Sequence, residues 1–186
     1  MKNIFRSAFS LFAFIILMNI YAFTLTGKIV SVDTSNSWIQ YTVDHTFHSA
    51  TAVTHSFICN IDFNTETKQI NKVAVAAGVG TFDSKNSNRD SNAMEAVEAL
   101  KFPSVKFIST SIAFAENKLA VKGNLTFHGI TKEISFNAER KNSGSGFMIT
   151  GSFTVSLDEF KVERPSLLGM KIDDSILIEF KAVFNI

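Results

Sequence analysis

The sequence lacks most of what a disulfide-stapled, membrane-spanning or nucleic-acid-binding chain needs. Cys59 is the only cysteine in 186 residues, so no internal disulfide can form and the fold must hold by packing alone. Lys and Arg number 18 against 17 Asp and Glu, a net charge of +1, and they are scattered rather than clustered. A phosphate backbone is held by a basic face, so nucleic acid is excluded as a partner. Charged residues make up only 19% and hydrophobic residues 46%, which excludes a disordered chain. No internal repeat, low-complexity segment or second-domain boundary interrupts the sequence. Its signatures of catalysis are equally sparse. There is no G-x-S-x-G elbow and no Cys/His pair fixed in sequence, and "GVGTF" lacks the further glycine and helix of a nucleotide loop. Asp173-Asp174 sit in a turn before the last strand and read as solvated. The chain is not expected to be an enzyme or to carry a cofactor.

Against these absences stands one excess: 19 Phe, beside one Trp and two Tyr. Such a chain is built around a large apolar interior. Its longest apolar run, "AFSLFAFIILMNIYA", follows Lys2 and Arg6 and ends at Ala22. It is shorter than the roughly 20 residues of a membrane span and meets a small-residue cleavage site. Residues 1–22 therefore read as a signal peptide, with an uncleaved anchor as the alternative, and 23–186 as one mature domain. Localisation is then periplasmic or secreted, with no stable membrane insertion after cleavage. No cysteine lies near residue 22 to carry a lipid.

From residue 37 onward the dominant signal is alternation with period two. "KLAVKGNLTF" puts Leu119, Val121, Gly123, Leu125 and Phe127 on one face; "GFMITGSFTVSL" and "SILIEFKAVFNI" repeat the design. Looser runs are Ile39/Tyr41/Val43, Phe57/Cys59/Ile61/Phe63, Val73/Val75/Val79, Val105/Phe107 or Ile108/Ile112, and Ile134/Phe136. Short turn segments such as "AENK" and "KNSGSG" separate them, which suits antiparallel hairpins. Eight or nine strands with one apolar face each can form a sandwich or a closed barrel, and sequential hairpins favour an up-and-down barrel. Cys59, inside an alternating run, reads as a small buried hydrophobe.

One stretch breaks the pattern. In "RDSNAMEAVEALKFP", Asn92 and Glu95 have capping-box spacing, Asp90 suits the positive end of a helix dipole, and Pro103 forbids continuation. A helix is expected over about 92–101, with Met94, Val97 and Leu100 as its apolar stripe. A helix this short is marginal alone, so its stripe must lie on something apolar, such as the open end of a barrel.

Together, "FDSKNSNRDSNAMEAVEALKFPSVKFISTSI", "KGNLTFHGITKEISFNAE" and "SLDEFKVERPSLLGMKIDDSILIEF" resemble the YceI-like family of exported lipocalin-like proteins, over roughly residues 33–184. The resemblance implies an all-β fold: an eight-stranded antiparallel up-and-down barrel with an elongated apolar pore and a short helix near one end. It also implies a non-enzymatic carrier, holding a long-chain isoprenoid, quinone or fatty-acyl amphiphile in that pore. The chain departs from the family at two places: Asn92 stands where a histidine often follows the Arg-Asp pair, and Asp33…Asn36-Ser37 replaces an Asp…His-Ser pattern.

On that reading the tail would be lined by Tyr41, Phe57, Ile61, Val75, Phe107, Leu119, Val121, Leu125, Phe136, Ile149, Phe153 and Phe180, with Arg89 at the head group. The residues by themselves fit a packed core equally well. Inward Gly123 and Gly151, and a small-residue row of Ala74, Ala76, Gly78 and Gly80, could open space or relieve curvature. Arg89-Asp90 could equally be a salt bridge at the helix start. A filled barrel acting through its surface as an envelope stress or interaction protein is the alternative function, and a homodimer is compatible with either. His45, His48 and His55 fall close together, but no acidic or cysteine partner has metal-site spacing, so no metal is expected. His128, in "FHGITK", reads as structural.

Overall fold

A computed structural model describes residues 27–45, 48–167 and 169–186. The expected signal peptide, 1–22, lies outside the described residues. The alternating segments form one curled antiparallel sheet of ten strands, with a separate two-stranded hairpin. In chain order the strands are β1 (Gly27–Ser31), β2 (Trp38–His45), β3 (His48–Thr54), β4 (Phe57–Asn64), β5 (Ile70–Gly78), β6 (Ser104–Ala115), β7 (Lys118–Phe127), β8 (Ile130–Ser143), β9 (Gly146–Ser156), β10 (Ser166–Leu167), β11 (Met170–Lys171) and β12 (Ser175–Asn185). The sheet order is β1-β4-β5-β6-β7-β8-β9-β12-β2-β3, and β10 and β11 pair apart from it. The strands β4 to β9 form the expected meander. The count exceeds the expected eight by two because β1 adds to the free edge of β4 and β3 to that of β2.

The two outer edges, β1 and β3, are bridged by other groups rather than by pairing with each other. Just past β1, the Val32 N–H donates to Cys59 O (2.9 Å) and the Asp33 N–H to Val183 O (2.8 Å), tying β4 to β12. Ser37 is fully buried on this seam. Its Oγ accepts from the Val183 N–H at 2.8 Å, and its carbonyl meets His55 Nδ1 at 2.7 Å. Asp33 caps the intervening turn, accepting from the Ser35 N–H and from the Asn36 amide. On the β3 side, Val53 and Asp83 exchange both backbone hydrogen bonds. The segment after β5 therefore supplies the closure that a further strand would give.

A bulge settles the ambiguous run in β6. Its register against β7 shifts between Ser109 and Ser111, so Val105 and Phe107 share the inner face with Ile112 while Ile108 turns outward. The small-residue row in β5 does not line the interior as a row. Val73, Val75 and Ala77 line the interior, whereas Ala74 and Ala76 fall on the outer positions.

The helix α1 spans Ser87–Ala96, not 92–101. Asn86, rather than Asn92, is the N-cap, its Oδ1 accepting from the Arg89 N–H at 3.1 Å. The Asn92…Glu95 spacing thus lies inside the helix. Glu98, at φ 47°, breaks the helix before Pro103 is reached, and Leu100 projects into solvent. The apolar face is made by Ala93, Met94, Ala96 and Val97.

Candidate functional site

The curled sheet encloses an apolar cavity of about 430 Å³, within the range of small-molecule sites. The side chains around it divide into three zones. At one end, Phe63, Phe147 and Phe184 are each only 1% exposed and pack as a closed floor. In the middle, Phe136, Phe153, Phe180, Val75 and Ile178 face inward yet stay partly accessible. A filled core would bury them. Here the apolar rows line a void, and the centre is not packed.

At the other end the lining turns polar. Arg89, Asp90 and Asn92 of α1 lie across from Tyr41, His45 and Phe82, with Pro165 and Ile172 of the hairpin segment on the far side. The exposure of Asn92, Met94 and Pro165 shows that the cavity reaches the surface here. The Tyr41 ring packs against Phe82, centroids 5.4 Å apart. Burial lifts the Tyr41 phenol above its ordinary pKa; Asp90 adds to the rise and Arg89 opposes it. Asp90 Oδ1 accepts from the Ser84 N–H at 3.0 Å, which pins the loop entering the helix. Among the described residues Arg89 and Asp90 form no ion pair. The guanidinium reaches only Ser84 O, at 3.5 Å, and is left facing the mouth.

All thirteen residues expected at the ligand line this one cavity: Tyr41 on β2, Phe57 and Ile61 on β4, Val75 on β5, Phe107 on β6, Leu119, Val121 and Leu125 on β7, Phe136 on β8, Ile149 and Phe153 on β9, Phe180 on β12, and Arg89 on α1. Of the apolar stripe expected on the helix, Met94 and Val97 do line the cavity and Leu100 does not, while Ala93 and Ala96 are lining residues that sequence reasoning missed. It also missed Trp38 and Phe82. Of the two family departures, Asn92 stands at the mouth, whereas Asn36 sits on the seam, away from the cavity.

Gly123 and Gly151 do not open space by themselves. A Cβ at Gly151 would lie 2.7 Å from Phe180 Cζ, and one at Gly123 2.5 Å from Phe107 Cζ. Each glycine is a shelf against which a phenyl ring of the lining packs closely. Cys59 lines the cavity, and burial pushes its thiol up to about 12.

The histidines are held in place by backbone carbonyls. His45 Nε2 lies 3.3 Å from Met170 O, and His128 Nδ1 lies 2.9 Å from Phe160 O. The side chain of His48 lies outside the described residues. Asp174 is engaged, accepting from the Asp158 N–H at 2.7 Å and held below the usual carboxylate range, first by the Ser156 hydroxyl. Among the described residues no helix is long and apolar enough to cross a membrane.

This architecture, an antiparallel sheet curled around an apolar lumen with a polar rim and one short helix at the rim, is that of the lipocalin-like binding barrels. The model of the YceI-like domain matches residues 31–184, and the chain belongs to that family. A relative from Pseudomonas putida, named a UPF0312 protein, is 28% identical over 131 residues, 64% of this chain and 67% of the relative. One from Pseudomonas fluorescens is 30% identical over 122 residues, 60% of this chain and 62% of its own length. Among solved structures, BcnA of Burkholderia cenocepacia superposes with a TM-score of 0.73 at 19% identity, covering 82% of this chain and 98% of BcnA. A polyisoprenoid binding domain from Saccharophagus degradans, implicated in plant cell wall breakdown, gives 0.69 at 11% identity, covering 85% and 99%. At those identities the likeness is one of fold.

Proposed function

We propose that the protein is a non-enzymatic carrier that sequesters the long apolar tail of an amphiphile, of isoprenoid, quinone or fatty-acyl type, with the polar head at the rim beside Arg89. The observation that carries this reading is the row of inward Phe, Ile and Val side chains left partly accessible around 430 Å³ of enclosed space. Each methylene moved from water into such a lining contributes about 0.8 kcal/mol, so a long tail binds with few polar contacts. Membership of the YceI-like family and the polyisoprenoid-binding domain among the structural neighbours support the same ligand class. The N-terminal signal pattern supports action in the bacterial envelope, where a carrier would keep such a tail out of water. The filled-barrel alternative has no counterpart to the open lumen.

The test is organic extraction of the purified protein followed by mass spectrometry, together with titration of the stripped protein with a quinone or polyprenol. Trp38, the chain's one tryptophan, lines the cavity and supplies a fluorescence signal. A co-purifying long-chain amphiphile and saturable quenching are expected. No extracted lipid and no uptake of either probe would overturn the reading.

A further inference from the structure

The two ends of the cavity differ in kind. The rim carries Arg89, Asp90, Asn92 and Tyr41, whereas the floor is apolar and layered. Phe184 faces the lumen, and its ring packs on Phe147 with centroids 5.5 Å apart. Phe147 packs on Phe63 at 5.4 Å. Outside them, the Arg140 guanidinium lies 3.9 Å from the Phe147 centroid and 5.6 Å from that of Phe63. It is held there by an N–H that donates to Lys68 O at 2.6 Å. Burial lowers the Arg140 pKa, because loss of solvent disfavours the charged form. Such a stopper, a cluster of three packed rings backed by a bonded cation, cannot yield to an advancing chain as the partly accessible middle rings can.

We propose that this floor is a length gauge: an unbranched tail enters methyl end first, and Phe184 stops it. The proposal rests on the carrier reading above and adds a limit that a merely greasy lumen would not have. Between Ile176 at the mouth and Phe184 at the floor, at about 3.3 Å per residue and a strand tilt of about 40°, β12 descends roughly 20 Å. An extended chain advances about 1.2 Å per bond, as a stretched backbone does, so about sixteen bonds fill that depth. Longer tails leave their excess at the rim. Ala182 is the inward residue one step above Phe184 on β12. Bulk added there raises the floor by about 5 Å, or about four bonds.

Saturated straight-chain fatty acids from eight to twenty-two carbons serve as probes, titrated into the stripped full chain below their aggregation limits. The expected affinity rises about fourfold per methylene and then flattens near sixteen carbons. Ala182→Leu moves the plateau to tails about four carbons shorter, and Phe184→Ala moves it longer. Thermal unfolding of both variants identifies one that fails to fold, and the wild-type plateau stands as a test without them. Affinity that climbs without a break to twenty-two carbons, or a plateau unmoved in a folded Ala182→Leu, overturns the gauge while leaving the carrier intact. Failure of every fatty acid to bind overturns the gauge for unbranched tails, and the carrier reading falls with it only if the quinone and the polyprenol also fail to bind.

Discussion

Gly151 and Gly123 occupy equivalent inward positions, yet alanine at each should fail in a different way. At Gly151 the three atoms nearest to a Cβ all belong to side chains: Phe180 Cζ at 2.7 Å, Phe180 Cε1 at 2.9 Å and Ala138 Cβ at 3.2 Å. The Phe180 ring borders the lumen and is partly accessible, so it can swing into the cavity. Displacing it costs about 1–3 kcal/mol, and restricting the unfolded chain returns about 0.4–1 kcal/mol, for a net loss of about 1 kcal/mol. A ring standing in the lumen excludes about two methylenes of ligand, which weakens binding about fifteenfold. At Gly123 the Cβ would lie 2.5 Å from Ile108 O, as well as against the Phe107 ring. That carbonyl belongs to β6, paired with β5 on one side and β7 on the other, so it cannot give way. Gly123→Ala should therefore lose about 3 kcal/mol or more. Urea unfolding followed by Trp38 fluorescence gives the stabilities, and quinone titration gives the affinities. A Gly151→Ala protein less stable than Gly123→Ala, or one that binds as tightly as wild type, would refute the shelf argument.

Three further outcomes follow from the lining. Cys59 should resist iodoacetamide at pH 8 in the folded protein and react fully in urea, because burial holds the thiol protonated; rapid labelling of the native state would contradict this. Its pKa rises from 9.0 to about 12 on folding. Between those values the unfolded chain gives up a proton that the native protein keeps, so stability falls with rising pH, by about 1.4 kcal/mol per unit, relative to Cys59→Ala. Equal slopes for the two proteins would remove that assignment. Arg89→Ala should weaken an amphiphile with an anionic or hydrogen-bonding head by tenfold or more, leave a headless hydrocarbon unaffected, and change stability by less than about 0.5 kcal/mol. Equal loss for both ligands would place Arg89 in the scaffold instead.

The walls were legible because a strand's side-chain period is two whatever it packs against. The spacing of Leu119, Val121 and Leu125 predicts that they face inward, and all three line the cavity. The alternation cannot reveal a change of phase. In β6 either Val105 and Phe107 or Ile108 and Ile112 could face inward, and the bulge between Ser109 and Ser111 takes two from one set and one from the other. Nor does it reveal closure. Nothing in the spacing says that β1 and β2, only a turn apart in sequence, join opposite edges of the sheet, because that depends on Ser37 and Asp33 reaching Val183.

The rim was the least legible part, and the reason is energetic. A ten-residue helix has too little intrinsic stability to fix its own start. Asn86 and Asn92 are chemically equivalent caps in the same short stretch, and Glu95 favours the second by the capping-box rule. The choice falls to contacts remote in sequence. Asp83 pairs with Val53, and Asp90 holds the Ser84 N–H, so the chain is already committed before Asn92 is reached. Starting at Ser87 turns Ala93, Ala96 and Val97 onto the cavity and leaves Arg89 at its edge. The same closure that completes the barrel therefore sets which polar groups meet a ligand's head. Because it is made by backbone groups, Val53→Pro, which removes one of its two donors, should change the ratio of affinities for an anionic-headed amphiphile and a headless hydrocarbon. An unchanged ratio in the folded variant would refute this.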